Sequence, residues 1–348
     1  MTNSQKTIPK TGEIAIGTLL LTSGELLEDV SLHYEISGPE GAPVILVCHA
    51  LTGNQHTIGT DHQPGWWNGL IGEGNYVDTE AYQVLTFNVL GGCHGSTGPT
   101  TNNKRTNLPY RSHFPHITVR DMVHAQQNAL KKLGIQHLAA VMGGSLGGMQ
   151  AMEWGILYPN IMDKIIVLAS TPVYSDYGIA YNHIAETSII QDSAWDNGNY
   201  ISNTDLKGLE IARMVGMVTY RSAALFNERF ERKSSKSKYD VNAYLDHQGK
   251  KLTERFDANS YLTLLRAMND HDIGKDRGGW EAAARNITLP ILAISYDRDL
   301  IFEPSFMKKF AGEVVNGSYV HVETDFGHDG FLTEFPKWGP EVEQFLNG

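Results

Sequence analysis

Short, almost unbroken apolar runs alternate with longer amphipathic stretches along most of this chain. The runs at residues 44–48, 83–89, 138–142, 164–169, 290–295 and 318–322 have the length and composition of strands covered on both faces. Between several of them apolar residues recur at helical spacing, and this predicts helices over 118–133 and 148–158. Pro159 stops the second, because a proline lacks the N–H that would continue it. Residues 14–34 read instead as an N-terminal hairpin. Buried strands separated by helices predict an α/β fold, a mostly parallel sheet with helices on both faces.

The alternation breaks between residues 173 and 287. That stretch carries helical patterns, for example 205–220 and 257–270, with polar turns and no strong strand pattern. Strand logic resumes at Leu289. A helical block between two strands of one sheet reads as an inserted lid. The expected division is a core of residues 1–173 and 285–348, with a helical lid insertion at 174–284. No internal repeat or low-complexity segment appears.

Composition narrows the partners. The 348 residues, 41% hydrophobic and 19% charged, suffice for one large domain with an insertion. A net charge of -11 argues against nucleic acid or an anionic membrane surface as partner. The basic clusters at 232–238 and Lys250-Lys251 read as solvated surface. Two cysteines, Cys48 in an apolar run and Cys93 in a glycine loop, make no disulfide framework and suit a reducing compartment. Met1 to Lys10 is polar and has no apolar stretch like a secretory signal, and no run approaches transmembrane length. The expectation is a cytoplasmic protein.

The chemistry centres on Met142-Gly143-Gly144-Ser145-Leu146-Gly147-Gly148. A buried strand, a tight glycine turn with one serine and then a helix make the G-x-S-x-G nucleophile elbow. A serine hydroxyl is a poor nucleophile at neutral pH and needs an adjacent base. The sharp turn lifts Ser145 clear of the sheet, and Gly143 and Gly147 remove side chains that would clash there. The helix N-terminus offers the N–H of Leu146 to an oxyanion. A second donor is expected from a loop after an earlier strand, and the N–H of Leu51 in Cys48-His49-Ala50-Leu51-Thr52-Gly53 fits. The base and its orienting carboxylate should follow in the order Asp, then His. After the run at 290–295 two carboxylates compete, Asp297 and Asp299. Past the next strand, His328 sits in a glycine-flanked loop, whereas His321 alternates within a strand and reads as structural. His49, His56 and His62 lack the spacing of a helix-borne zinc motif, so no metal is expected. The glycines at 91–98 lack the Gly-Lys-Ser/Thr ending of a P-loop.

With these pieces in place the chain resembles the homoserine O-acetyltransferases, a family of the α/β-hydrolase superfamily. The resemblance spans nearly the whole chain. It rests on Cys48-His49-Ala50-Leu51-Thr52-Gly53, Pro64-Gly65-Trp66-Trp67, Asn88-Val89-Leu90-Gly91-Gly92-Cys93 and Gly143-Gly144-Ser145-Leu146-Gly147-Gly148-Met149-Gln150. It continues through Thr219-Tyr220-Arg221-Ser222, Gln248-Gly249 and Phe256-Asp257-Ala258-Asn259-Ser260-Tyr261-Leu262 to Gly327-His328-Asp329-Gly330-Phe331-Leu332. It implies an α/β-hydrolase fold and a double displacement that serves methionine biosynthesis. Ser145 takes acetyl from acetyl-CoA, and the L-homoserine hydroxyl then attacks the acyl-enzyme with His328 as base. The family's Asp-x-Leu-Phe pattern matches Asp299-Leu300-Ile301-Phe302 and selects Asp299 over Asp297, though Ile301 replaces the usual leucine. Arg213 matches the arginine that pairs with the substrate carboxylate, Tyr220 a tyrosine of the same pocket, and Asp329 the aspartate that holds the substrate ammonium. The resemblance implies no bound cofactor, acetyl-CoA being a substrate, and a homodimer built through the lid helices. Residues 101–105, Thr-Asn-Asn-Lys-Arg, depart from the family's usual sequence after the Ser-Thr-Gly-Pro loop. Two neighbouring readings share this machinery: a homoserine O-succinyltransferase, and an esterase or thioesterase in which water takes the acyl group.

Overall fold

The computed structural model describes residues 9–235 and 237–348; most of the polar N-terminal stretch lies outside them. The main sheet has eight strands: β1 (Lys10–Leu20), β2 (Leu26–Ser37), β3 (Val44–Cys48), β4 (Gln83–Phe87), β5 (Ala140–Gly144), β6 (Ile165–Leu168), β7 (Ile291–Tyr296) and β8 (Gly317–Val322). Their spatial order is β1-β2-β4-β3-β5-β6-β7-β8. The first two pairings are antiparallel and the others parallel. The expected hairpin is thus the antiparallel flank of a parallel sheet, and its strands extend past residues 14 and 34 because β2 also pairs with β4.

Central strands β3, β5, β6 and β7 are buried at every residue, as continuous apolar runs require. Alternate side chains feed two cores. Leu46 and Cys48 of β3 join a cluster with α1 (Val119–Leu133) and α2 (Leu146–Leu157). Ile45 and Val47 join Trp67, Leu70, Trp338 and the helix α10 (Gly339–Asn347) on the opposite face. Helix α1 starts where Thr118 and Asp121 form a reciprocal cap and stops at left-handed Gly134.

One boundary matters for the site. The pattern placed a strand at 138–142 and a helix at 148–158, with a turn between. In the structure β5 runs through Gly143 and Gly144, which pair with Val167 and Leu168 of β6. Helix α2 starts at Leu146. Sheet pairing overrides the low strand propensity of glycine, and the turn shrinks to one residue, Ser145.

Between β6 and β7 lie α3 (Asp176–Ile190), α4 (Lys207–Tyr220), α5 (Ala223–Phe230), α6 (Asp240–Thr253), α7 (Ala258–Asn269) and α8 (Trp280–Arg285). A two-residue hairpin, Ser234–Ser235 with Lys238–Tyr239, also occurs there. Helix α4 packs on α3 and α6 and brings its C-terminal end over the carboxyl ends of the strands. Helix α9 (Pro304–Glu313) connects β7 to β8.

Candidate active site

Ser145 adopts φ 58° and ψ -124°, a conformation that costs a non-glycine residue energy and needs external support. The support is visible. Its N–H donates to the Leu168 carbonyl at 3.0 Å, and its carbonyl accepts from Gly148 N–H at 2.9 Å and the Ser170 hydroxyl at 2.9 Å. A Cβ on Gly143 would overlap the backbone of Gly147, and one on Gly147 would overlap the Cys48 carbonyl. Both glycines are therefore required for β3, β5 and α2 to meet this closely.

The structure joins Ser145, His328 and Asp299 in one hydrogen-bonded chain. His328 Nε2 lies 3.1 Å from Ser145 Oγ, and His328 Nδ1 lies 2.8 Å from Asp299 Oδ2. The other Asp299 oxygen accepts the N–H groups of Ile301 at 2.9 Å and Phe302 at 3.0 Å. An ionised carboxylate accepts only, so His328 carries its proton on Nδ1 and turns a bare Nε2 to the serine. The three residues are 5%, 4% and 7% exposed, respectively, which shields the chain from bulk water. Rings of Phe302, Phe331 and Tyr220 surround the imidazole at centroid separations of 5.1, 5.3 and 5.6 Å. Asp297 stays outside, 3.4 Å from Arg298 and 3.9 Å from His321. His321 instead meets the Ser295 hydroxyl at 2.9 Å.

A cavity of about 830 Å³ opens over Ser145 and His328. Leu51, Arg213, Tyr220 and Asp329 line it, so the expected oxyanion loop and substrate residues share one space. Leu146 begins α2, where an N–H has no preceding intrahelical carbonyl to bond. The Arg213 guanidinium lies 5.7 Å from the Tyr220 ring centre. Burial pushes the Tyr220 phenol up, keeping it protonated. Asp329 is already engaged, accepting from Arg221 Nε at 3.0 Å. A substrate ammonium would therefore join an existing ion pair rather than meet a free carboxylate.

Lys251 and Arg255 also line this cavity. Lys250-Lys251 read as solvated surface from the sequence, and nothing in local spacing marks Lys251 as pocket-facing. Arg255 donates to the Thr52 carbonyl at 2.8 Å, tying the chain after α6 to the loop that holds Leu51. Burial, then repulsion from Arg213, lowers its guanidinium to about 10. The divergent segment 101–105 lines no part of this cavity; Lys104 and Arg105 pair with Asp29 and Glu28. A second, much smaller cavity of about 30 Å³ touches Ser145 from another side, bounded by Leu51, Val215, Gly216, Ile301 and Phe302 among others.

Among the described residues no group of three or more His, Cys, Asp or Glu is placed to hold a metal. His56 Nδ1 lies 3.1 Å from buried Glu35, whose other oxygen accepts the Ile58 N–H at 2.9 Å. No helix among the described residues is long and apolar enough to cross a membrane.

Residues 43–335 match the family described as the α/β hydrolase fold. The chain is 43% identical to the homoserine O-acetyltransferase of Symbiobacterium thermophilum, covering 94% of this chain and 91% of that one. It superposes on the homoserine O-acetyltransferase of Bacillus anthracis with a TM-score of 0.92 and 26% identity, covering 98% of each chain. Esterase E22 matches with a TM-score of 0.91 and 26% identity, over 97% of this chain and 100% of the other. Backbone likeness thus does not separate a transferase from an esterase; the sequence likeness does. The chain belongs to the homoserine O-acetyltransferase family, within the α/β-hydrolase fold.

Proposed function

We propose that this protein transfers an acetyl group from acetyl-CoA to the hydroxyl of L-homoserine through an acyl-serine intermediate. The observation that carries the proposal is the Ser145–His328–Asp299 chain, set in a sequence 43% identical to a homoserine O-acetyltransferase. His328 Nε2 takes the Ser145 Oγ proton as Oγ bonds to the thioester carbonyl carbon. The N–H groups of Leu51 and Leu146 hold the oxyanion. The carbon–sulfur bond breaks, and His328 returns the proton to the CoA sulfur. The homoserine hydroxyl then gives its proton to His328 and attacks the acetyl carbon. Ser145 Oγ leaves and is reprotonated. Asp299 stabilises the imidazolium in both halves. No cofactor takes part; acetyl-CoA is a substrate.

Arg213 is suited to a bidentate grip on the homoserine carboxylate, and Asp329 to its ammonium beside Arg221. Tyr220 walls the same space. The two cysteines are free, which suits a cytoplasmic location. Exposed Tyr177 and Ile184 of α3, with Ile211 and Val218 of α4, support a homodimer through the lid helices. Mass analysis of products from L-homoserine with acetyl-CoA or succinyl-CoA, offered separately, tests the assignment. O-acetylhomoserine is the expected product. Preferential O-succinylhomoserine, or free acid with no homoserine ester, would overturn it.

A further inference from the structure

His49 ends the stretch that leaves β3, and its buried ring has three polar partners. Nδ1 lies 2.7 Å from the carbonyl of Ala50. Nε2 lies 3.0 Å from the N–H of Val89 and 3.2 Å from Asn88 Nδ2. A carbonyl only accepts, so Nδ1 must bear the proton. A backbone N–H only donates, so Nε2 must be bare. Asn88 is itself oriented, because its Oδ1 accepts the His94 N–H at 3.1 Å. These partners lock one neutral tautomer. Burial acts in the same direction, lowering the imidazolium to about 4.

The Ala50 carbonyl and the Leu51 N–H belong to one planar peptide unit. Turning that unit moves both groups together. The same carbonyl accepts the Gly53 N–H at 2.9 Å, so the unit is held from two sides. A donor on the carbonyl also polarises the peptide and strengthens its N–H as a donor. We propose that His49 is a positioning residue of the oxyanion hole, its Nδ1–H fixing the Ala50–Leu51 peptide so that the Leu51 N–H faces the acyl oxygen above Ser145. This rests on the reading of Leu51 as an oxyanion donor. It also gives the contact between the ends of β3 and β4 a catalytic purpose.

The test compares two substitutions in the full chain. His49→Gln puts an acceptor near Nε2 but no donor near Nδ1. His49→Asn puts a donor near Nδ1 and loses the contact to Val89. The probes are p-nitrophenyl acetate, for acylation of Ser145, and methylboronic acid, whose tetrahedral adduct places an oxygen in the oxyanion hole. For His49→Gln we expect acylation to slow roughly tenfold or more, with the boronate inhibition constant rising by a similar factor. KM and the pH profile should stay as in the wild type. His49→Asn should recover most of both losses. Equal loss in the two variants, or slow acylation with unchanged boronate affinity, would overturn the proposal and leave a structural role. Should either variant fail to fold, neutron diffraction on the wild type decides: a deuteron on Nδ1 agrees, and one on Nε2 contradicts. Neither probe uses homoserine or CoA, so a wrong choice of acceptor would leave this result intact.

Discussion

The strained backbone at Ser145 is bought by its neighbours: glycines at 143 and 147 for room, and hydrogen bonds to its backbone N–H and carbonyl for hold. Both glycines were legible in the sequence, because close approach at an elbow admits little else. The choice between Asp297 and Asp299 was legible only through the family's Asp-x-Leu-Phe pattern, which matches Asp299-Leu300-Ile301-Phe302. The two lie two residues apart after one strand, and their spacing favours neither. In the structure the turn after β7 separates them, aiming Asp299 inward to three donors and Asp297 outward to Arg298. Asp299→Asn should therefore lower kcat by about 10⁴-fold, since an amide in its place favours the wrong histidine tautomer. Asp297→Asn should cost little. Steady-state kinetics of both variants check this, and the reverse ranking would refute the assignment.

Elements were more legible than their ends. Each of the six apolar runs became a strand of the main sheet, but β8 is an edge strand in which only Val322 is buried, not one covered on both faces, because β7 alone pairs with it. The shift at β5 came from pairing that local propensity does not report, as Gly143 and Gly144 hydrogen-bond as strand residues beside β6. Asp329 shows the same limit at the site. Its match to an ammonium-binding position was readable, but its pairing with Arg221 depends on the end of α4 reaching the histidine loop. The outer faces of α3 and α4 carry large apolar residues, with Ile184 51% and Val218 49% exposed. Ile184→Glu should shift sedimentation velocity from dimer to monomer, without loss of helical circular dichroism. A wild type that sediments as a monomer at micromolar concentration would refute the lid interface.

Over the whole molecule, a net charge of -11 coexists with a cavity bordered by Arg213, Arg221, Lys251 and Arg255. Composition pointed away from polyanionic surfaces as partners and did not reveal this local cationic wall, which suits a carboxylate or phosphate-bearing substrate. Burial also leaves an acid-sensitive signature. His49 and His271 are fully buried and each is lowered to about 4. The unfolded chain binds their protons near the ordinary value of about 6.5, so it takes up more protons than the folded chain between those limits. Their contribution is complete above about pH 6.5 and is lost as pH falls toward 4, at up to roughly 1.4 kcal/mol per pH unit for each group. Urea unfolding across this window should show declining stability; a flat profile would contradict the buried neutral histidines. The proposed reaction turns on the acyl-serine intermediate and its capture by homoserine. It is tested most directly by rapid-quench mass spectrometry after mixing the protein with acetyl-CoA alone, then adding L-homoserine. One acetyl group should appear on the peptide carrying Ser145 and be discharged by homoserine into O-acetylhomoserine much faster than by water. An acetyl group on another residue, or discharge that homoserine does not accelerate, would contradict it.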